Sequence, residues 1–219
     1  MKLAILALAA VLAPAVTLAH PHVIISQTVR AIEEQGAYTQ VEVEWRFDPH
    51  ASEDEIPAID EDKDGKISPE ELALLVRDTM PSLQQFGFQT WLNIGDKDFQ
   101  PRETGVFLAT IENPATFNPP EWDRSAGDGE KMPENKRQEL PADPAAGAPR
   151  NLVYTFRFTL PQPSKAFTIT TYDADDLIRF EVDKASLPAS CTLDKHPTYK
   201  SEFVPGQQVF ADRVSCRLP

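Results

Sequence analysis

The stretch TQVEVEWRF, residues 39–47, alternates without interruption. Val41, Val43, Trp45 and Phe47 fall on one face, and Glu42, Glu44 and Arg46 on the other. A period of two with one apolar face is the signature of a strand that covers a core on one side and meets water on the other. Before it, HVIISQTVRAIE is rich in β-branched residues, and EEQGAY supplies a turn at Gly36, so the two segments read as a hairpin. The same signal returns in NLVYTFRFTL, where Tyr154, Phe156, Phe158 and Leu160 point inward. It returns again in KAFTITTYD, in LIRFEV and in the tail FVPGQQVFADRVSC. FGFQTWLNI and FQPRETGVFLATIE flank the turn GDKD as further strands. No internal repeat is present. Many short alternating strands predict a mainly β chain, an antiparallel β-sandwich of immunoglobulin-like architecture, forming one domain over residues 20–219.

Residues 48–83 break the strand pattern and predict an inserted helix–loop–helix. SPEELALLVRDTM places Leu72, Leu75, Val76 and Thr79 at helical spacing, with Met80 one position on, in a short amphipathic helix that should stop before Pro81. The entering segment SEDEIPAI carries Pro57, which allows at most a turn or two of helix. Between them lies DEDKDGKISPEE. Counted from Asp60, it meets the EF-hand calcium pattern at every side-chain position. Asp60, Asp62 and Asp64 offer carboxylates at alternate positions, and Gly65 permits the sharp turn. Lys66 would give only its backbone carbonyl. Ser68 would act through water or its hydroxyl, and Glu71 would close the shell with two oxygens. The simpler reading is an acidic helix start, because SPEE is also a capping box with Ser68 as N-cap and Glu71 at the third helical position. A cap accounts for Ser68 and Glu71 but not for three alternating aspartates and a glycine.

Composition matters for what the chain can meet. A net charge of −13 disfavours nucleic acid and anionic membrane surfaces. Residues 1–19 have the form of a secretory signal, with a lysine, a short apolar run and small residues before a cut that would leave His20 first. No later run is apolar enough for a transmembrane segment in the mature chain. A free amine with the His20 and His22 rings could then hold Cu2+, Ni2+ or Zn2+ as a brace; the plainer alternative is two solvated histidines. His50 and His196 read as ordinary surface residues. Cys191 and Cys216 are the only cysteines, and an oxidising compartment would join them in a disulfide, with two free thiols as the alternative. Asp173, Asp175 and Asp176 could hold a second cation, although a turn explains them more simply. Residues 114–150 are dense in proline, glycine and charge and are expected to form a largely disordered insertion, with Trp122 able to dock. No nucleophile constellation is present, so the chain is expected not to be an enzyme.

AHPHVII, VEWRFD, the acidic loop running into SPEELALL, FGFQTWLNIGDKDF and FTITTYDADDLIRFEV occur in that order. Together they resemble a bacterial periplasmic family of unknown function, described as the periplasmic component of an uncharacterised ABC-type transport system. Genes of that family often lie beside nickel/cobalt-type permeases. The resemblance covers most of the chain after residue 19 except 114–150. It implies a periplasmic location and a membrane metal-ion permease as partner, and it names no activity. The expectation is a calcium-binding exported protein, non-enzymatic and accessory to transition-metal ion transport. The alternatives are a solute-binding component of the transporter, for which the chain is short and lacks alternating βα units, and a copper protein built on His20 and His22.

Overall fold

The computed structural model describes residues 23–113, 117, 148–175, 177–204 and 207–219. Strands β1 (Val23–Glu34) and β2 (Ala37–Phe47) form the expected hairpin, closed by Gln35 and Gly36 at φ of 53° and 79°. The chain then makes two helices, α1 (Pro49–Ile59) and α2 (Pro69–Gln85). After them come β3 (Thr90–Ile94), β4 (Lys97–Phe99), β5 (Val106–Glu112), β6 (Asn151–Ser164), β7 (Ala166–Thr171), β8 (Ile178–Val182), β9 (Cys191–Val204) and β10 (Gln207–Arg217). One sheet has the order β5-β6-β2-β1-β8 and the other β4-β3-β7-β10-β9. Pairing among the described strands is antiparallel except between β1 and β8, which run parallel. The chain is mainly β, as the alternation predicts, but its sheets are not purely antiparallel.

The two sheets share one core. Ile25, Val29, Val41, Val43, Trp45, Leu152, Phe156 and Phe158 come from the first; Leu92, Ile169 and Val214 come from the second. Aromatic edges make the contact across the layers. Tyr38 meets Phe167 at a ring separation of 5.2 Å, and Phe88 meets Phe156 at 5.4 Å. Such pairs favour edge-to-face geometry because the electron-rich face of one ring attracts the positive rim of the other. One polar stitch lies within this core: the Gln27 amide of β1 donates to the Thr171 hydroxyl of β7 at 2.7 Å. Both residues are buried, so the bond satisfies groups that could not reach water.

Both helices outrun their prolines. α1 has eleven residues and continues through Pro57, where one or two turns were expected. α2 runs on past Pro81 to Gln85. A proline inside a helix removes one backbone bond and crowds one carbonyl, and here packing outweighs that loss. Ala51, Ser52, Ile56 and Ile59 of α1 are buried, and Leu72, Leu75, Met80 and Leu83 of α2 lie against the core. Asp48 caps α1 by accepting from the Ala51 N–H at 3.0 Å, and its other oxygen accepts from Ile24 N–H at 2.7 Å. The Arg102 guanidinium caps the far end of α2 on the carbonyls of Gln84 and Gln85 at 3.1 and 2.6 Å. No helix among the described residues is long and apolar enough to cross a membrane.

Two further expectations need correction, and one strand is an addition. FGFQTWLNI is not a strand throughout: Gly87, Phe88 and Gln89 form a tight turn with φ of 59°, 53° and 47°, and the strand begins at Thr90. FQPRETGVFLATIE is two strands in different sheets, because residues 100–105 carry the chain from β4 to β5. CTLDKHPTYKSEFV is a long strand that alternation did not reveal. The cysteines are joined as expected. Cys191 and Cys216 stand directly opposite on β9 and β10, with Cα atoms 4.0 Å apart. Of the segment 114–150, only Phe117 and residues 148–150 are described, so the expected insertion with Trp122 lies almost wholly outside the described residues.

Two outcomes check this architecture. Cys191→Ala with Cys216→Ala should lower stability by about 3 kcal/mol through the loop that the bridge closes, read by urea unfolding at neutral pH. Gly87→Ala should cost about 1–3 kcal/mol in the same assay, because its Cβ would lie 2.7 Å from Gln100 Cβ at a φ that disfavours side chains. A stability equal to wild type would show that the turn relaxes freely.

Candidate metal centre

The acidic loop is built by its own backbone. α1 ends at Asp60, whose N–H donates to the Ile56 carbonyl at 2.9 Å. The Asp60 carboxylate then turns the chain back on itself. Its two oxygens accept from the N–H groups of Asp64 at 3.1 Å and Gly65 at 3.0 Å. Asp62 accepts from the same Asp64 N–H at 3.1 Å, and Asp64 accepts from Lys66 N–H at 2.8 Å. Short acidic side chains that bond to backbone N–H groups a few residues ahead are what bend such a turn. Gly65 sits at φ +80°, with nothing within 4 Å of where a Cβ would lie; the glycine is needed for its backbone angle and not for space.

Glu71 closes the loop from the other side. One oxygen accepts from Glu61 N–H at 2.8 Å. The other accepts from the Ser68 N–H at 2.9 Å and from its hydroxyl at 2.8 Å. The Ser68 oxygen accepts in return from Glu71 N–H at 3.3 Å, which completes the capping box expected from SPEE. The Ser68 backbone and hydroxyl donors, with the N–H groups of Glu61 and Asp62, hold the Glu71 carboxyl below the usual carboxylate range against the opposing effect of burial. The sign follows directly: this contribution to stability is present at neutral pH and is lost as pH falls through the depressed value.

These bonds bring three carboxylates together. One oxygen each from Asp60, Asp62 and Glu71 lies within 4.8 Å of the others. Asp60 is 2% exposed and Glu71 is 8% exposed, while Asp62 faces solvent. Two unit charges at this distance repel by about 1 kcal/mol in bulk water, and by several times that at the effective dielectric near a protein surface. Among the described residues no lysine or arginine forms an ion pair with any of the three. Arg150 is close enough to feel Asp60, yet its guanidinium is committed to Glu53 of α1 at 3.1 and 2.7 Å. Oxygen-only donors with excess negative charge match a hard cation better than a soft one.

Of the six residues expected at this centre, the structure therefore gathers Asp60, Asp62 and Glu71. Asp64 stands outside that set, with one oxygen on the Lys66 N–H, and the Ser68 hydroxyl serves the helix cap. Ile67 packs beneath the loop against the core. His20 and His22 lie outside the described residues, and His50 is exposed at the start of α1. Asp173 is a turn-former: it accepts from the N–H groups of Asp175, Leu177 and Ile178 at 3.2, 2.9 and 2.9 Å. Asp176 lies outside the described residues. Sequence reasoning missed the anchorage of the entering helix. The Ser52 hydroxyl donates to the Asp48 carbonyl at 2.7 Å and accepts from Leu152 N–H at 2.9 Å, while the Asn151 amide donates to the Phe47 carbonyl at 2.7 Å. Ser52 and Asn151 are both fully buried. Their only trace in sequence is a polar residue inside an otherwise apolar helix face or at the head of an apolar strand.

A family model described as a protein of unknown function, DUF1007, matches residues 5–208. No curated protein and no solved structure matches the chain. The matched span contains the acidic loop, both helices and most of the two sheets, and on that ground the chain belongs to the DUF1007 family of proteins of unknown function.

Proposed function

We propose that the loop from Asp60 to Glu71 is an EF-hand-like calcium site whose role is to fasten the α1–α2 insert to the sandwich. The observation that carries this reading is the convergence of Asp60, Asp62 and Glu71 around a turn already bent by its own N–H groups. The two Asp60 oxygens each accept one N–H and keep a second lone pair, so their coordination need not break the turn. Glu71 Oε2 accepts from both the Ser68 N–H and hydroxyl and would bind an ion once that hydroxyl turns away. Asp64, the Lys66 carbonyl and a water on Ser68 would complete an oxygen shell of the number calcium takes. The cation would replace mutual repulsion with coordination and fix the end of α1 to the start of α2. The single loop, with no second hand to pair with, favours a structural site over a sensor that opens a groove.

Around that site we place a non-enzymatic exported protein, accessory to transition-metal ion transport and working with a membrane metal-ion permease. Support comes from the likeness to a periplasmic transport-associated family, from a leader-like residue 1–19 segment, and from a disulfide suited to an oxidising compartment. The two-sheet body reads as an immunoglobulin-like sandwich carrying the insert. N-terminal sequencing of the protein isolated from whole cells should start at His20, and the protein should fractionate with the periplasm; a chain that keeps Met1 and stays in the cytoplasm would remove the export reading.

The calcium reading is tested by melting curves with millimolar Ca2+ and with chelator. At calcium a hundredfold above its dissociation constant, the gain is about 2.7 kcal/mol. Mg2+ should raise the melting temperature much less, because it prefers a smaller six-oxygen shell and holds its waters. Glu71→Gln should lose most of the calcium-dependent shift while keeping an oxygen for the Ser68 N–H. Identical wild-type melting temperatures with calcium and with chelator would leave only an acidic helix start.

A further inference from the structure

The outer face of the second sheet carries a cluster that the proposed site does not use. β9 and β10 pair regularly up to Lys195 opposite Asp212, and again from Lys200 opposite Phe210. Between these pairs the four residues His196, Pro197, Thr198 and Tyr199 stand against Ala211 alone. The excess chain leaves the ladder as a large bulge, four residues against one. Tyr199 reaches across the sheet from it, with its ring 5.2 Å from that of Trp91 on β3 and stacked at 5.4 Å on Tyr172 just past β7. Under it Thr170 is only 3% exposed, although it belongs to the outer face beside Trp91 and Arg213.

One side chain holds the bulge in shape. The His196 Nδ1 accepts from the N–H of Thr198 at 3.2 Å and from the N–H of Tyr199 at 3.0 Å. Its ring stacks on Tyr199 at 4.0 Å and 9°. An imidazole nitrogen accepts only when it carries no proton, so both bonds require the neutral ring with its hydrogen on Nε2.

We propose that His196 is a proton-operated latch: protonation at Nδ1 places a donor against two backbone donors, opens the 196–199 bulge, and lifts Tyr199 off Trp91 and the sheet beneath. The surroundings fix the direction. Among the described residues, the charged groups that act on the ring are Arg213 from β10, Asp194 from β9 and Asp98 from β4; β3 and the end of β7 contribute the neutral Trp91 and Tyr172, which meet Tyr199. Arg213 and Asp194 bind each other through two bonds of 2.8 and 2.6 Å. Burial, seconded by Arg213, pulls the imidazole below the ordinary histidine value, against the opposing pull of Asp98 and Asp194. Burial also raises the Tyr199 phenol, helped by Asp98, so that ring stays uncharged throughout. A histidine held low favours the closed bulge above about pH 6.5 and loses that contribution as pH falls through its folded value. The latch is therefore shut at neutral pH and opens in mild acid. Opening uncovers Trp91, Tyr172 and Thr170 as one continuous strip.

The test follows the rings directly by NMR on the intact protein between pH 7.5 and 5. In wild type, the cross-relaxation between the Tyr199 and Trp91 rings should disappear with the same midpoint as the His196 titration, and that midpoint should lie below 6.5. His196→Asn keeps an oxygen that accepts from both N–H groups at every pH, so its ring contact should persist across the range. His196→Ala should lack the contact even at pH 7.5. A wild-type contact that survives full protonation of His196 overturns the latch. So does an Asn variant that loses the contact at the wild-type midpoint.

Discussion

The chain must pass from one sheet to the other between Phe47 and Thr90, and the rest of the structure depends on how that crossing is fixed. A crossing made by two short helices cannot rest on apolar contact alone, because the helices also have to end at defined points. Three oxygen-bearing side chains set those points. Asp48 joins the start of α1 to β1, Ser52 joins it to β6, and Glu71 ties the start of α2 back to Glu61. Each bonds to backbone N–H groups that a helix or strand end leaves without a partner. With those points pinned, Ile56, Ile59, Leu75 and Leu83 fall against the core that Phe156 and Phe158 begin.

Where the physics is local, the sequence was legible. Val41, Val43 and Trp45 lie inside because strand faces alternate whatever the tertiary context, and Ser68 with Glu71 forms its box from neighbours three residues apart. The Asp60 turn is likewise a matter between residues four and five positions apart. The misses arose where distant parts of the chain decide. Pro57 and Pro81 are read as helix stops on local grounds, yet α1 buries Ile56 and Ile59 on either side of Pro57, and the partly buried Leu83 beyond Pro81 packs against the core. Strand β9 escaped notice because the four-residue bulge destroys its alternation. The left-handed turn at 87–89 is announced by Gly87 alone. Phe88 and Gln89 adopt positive φ because the Phe88 ring is drawn between Phe156 and Phe158.

The two outer faces differ in kind. On the first sheet Arg30, Glu42 and Arg157 form one row of ion pairs, and Glu44, Arg46 and Glu112 another. Such ladders keep a sheet face wet and discourage other sheets from stacking on it. Among the described residues, the outer face of the second sheet has the ion pair Arg213 with Asp194 beside four partly covered rings, while Lys195 pairs with the buried Asp212 between β9 and β10. Apolar contact on that second face would come from these rings.

The disulfide joins two strands that already lie side by side, and this gives the C-terminal hairpin a property of its own. Every residue between Cys191 and Cys216 lies inside a covalent ring. Cutting one peptide bond in that ring releases no fragment: the two new ends stay held through sulfur and through the β7–β10 ladder. The hairpin can thus accept a nick and keep its mass until a reductant arrives, so proteolytic damage there would go unseen on a gel run without thiol.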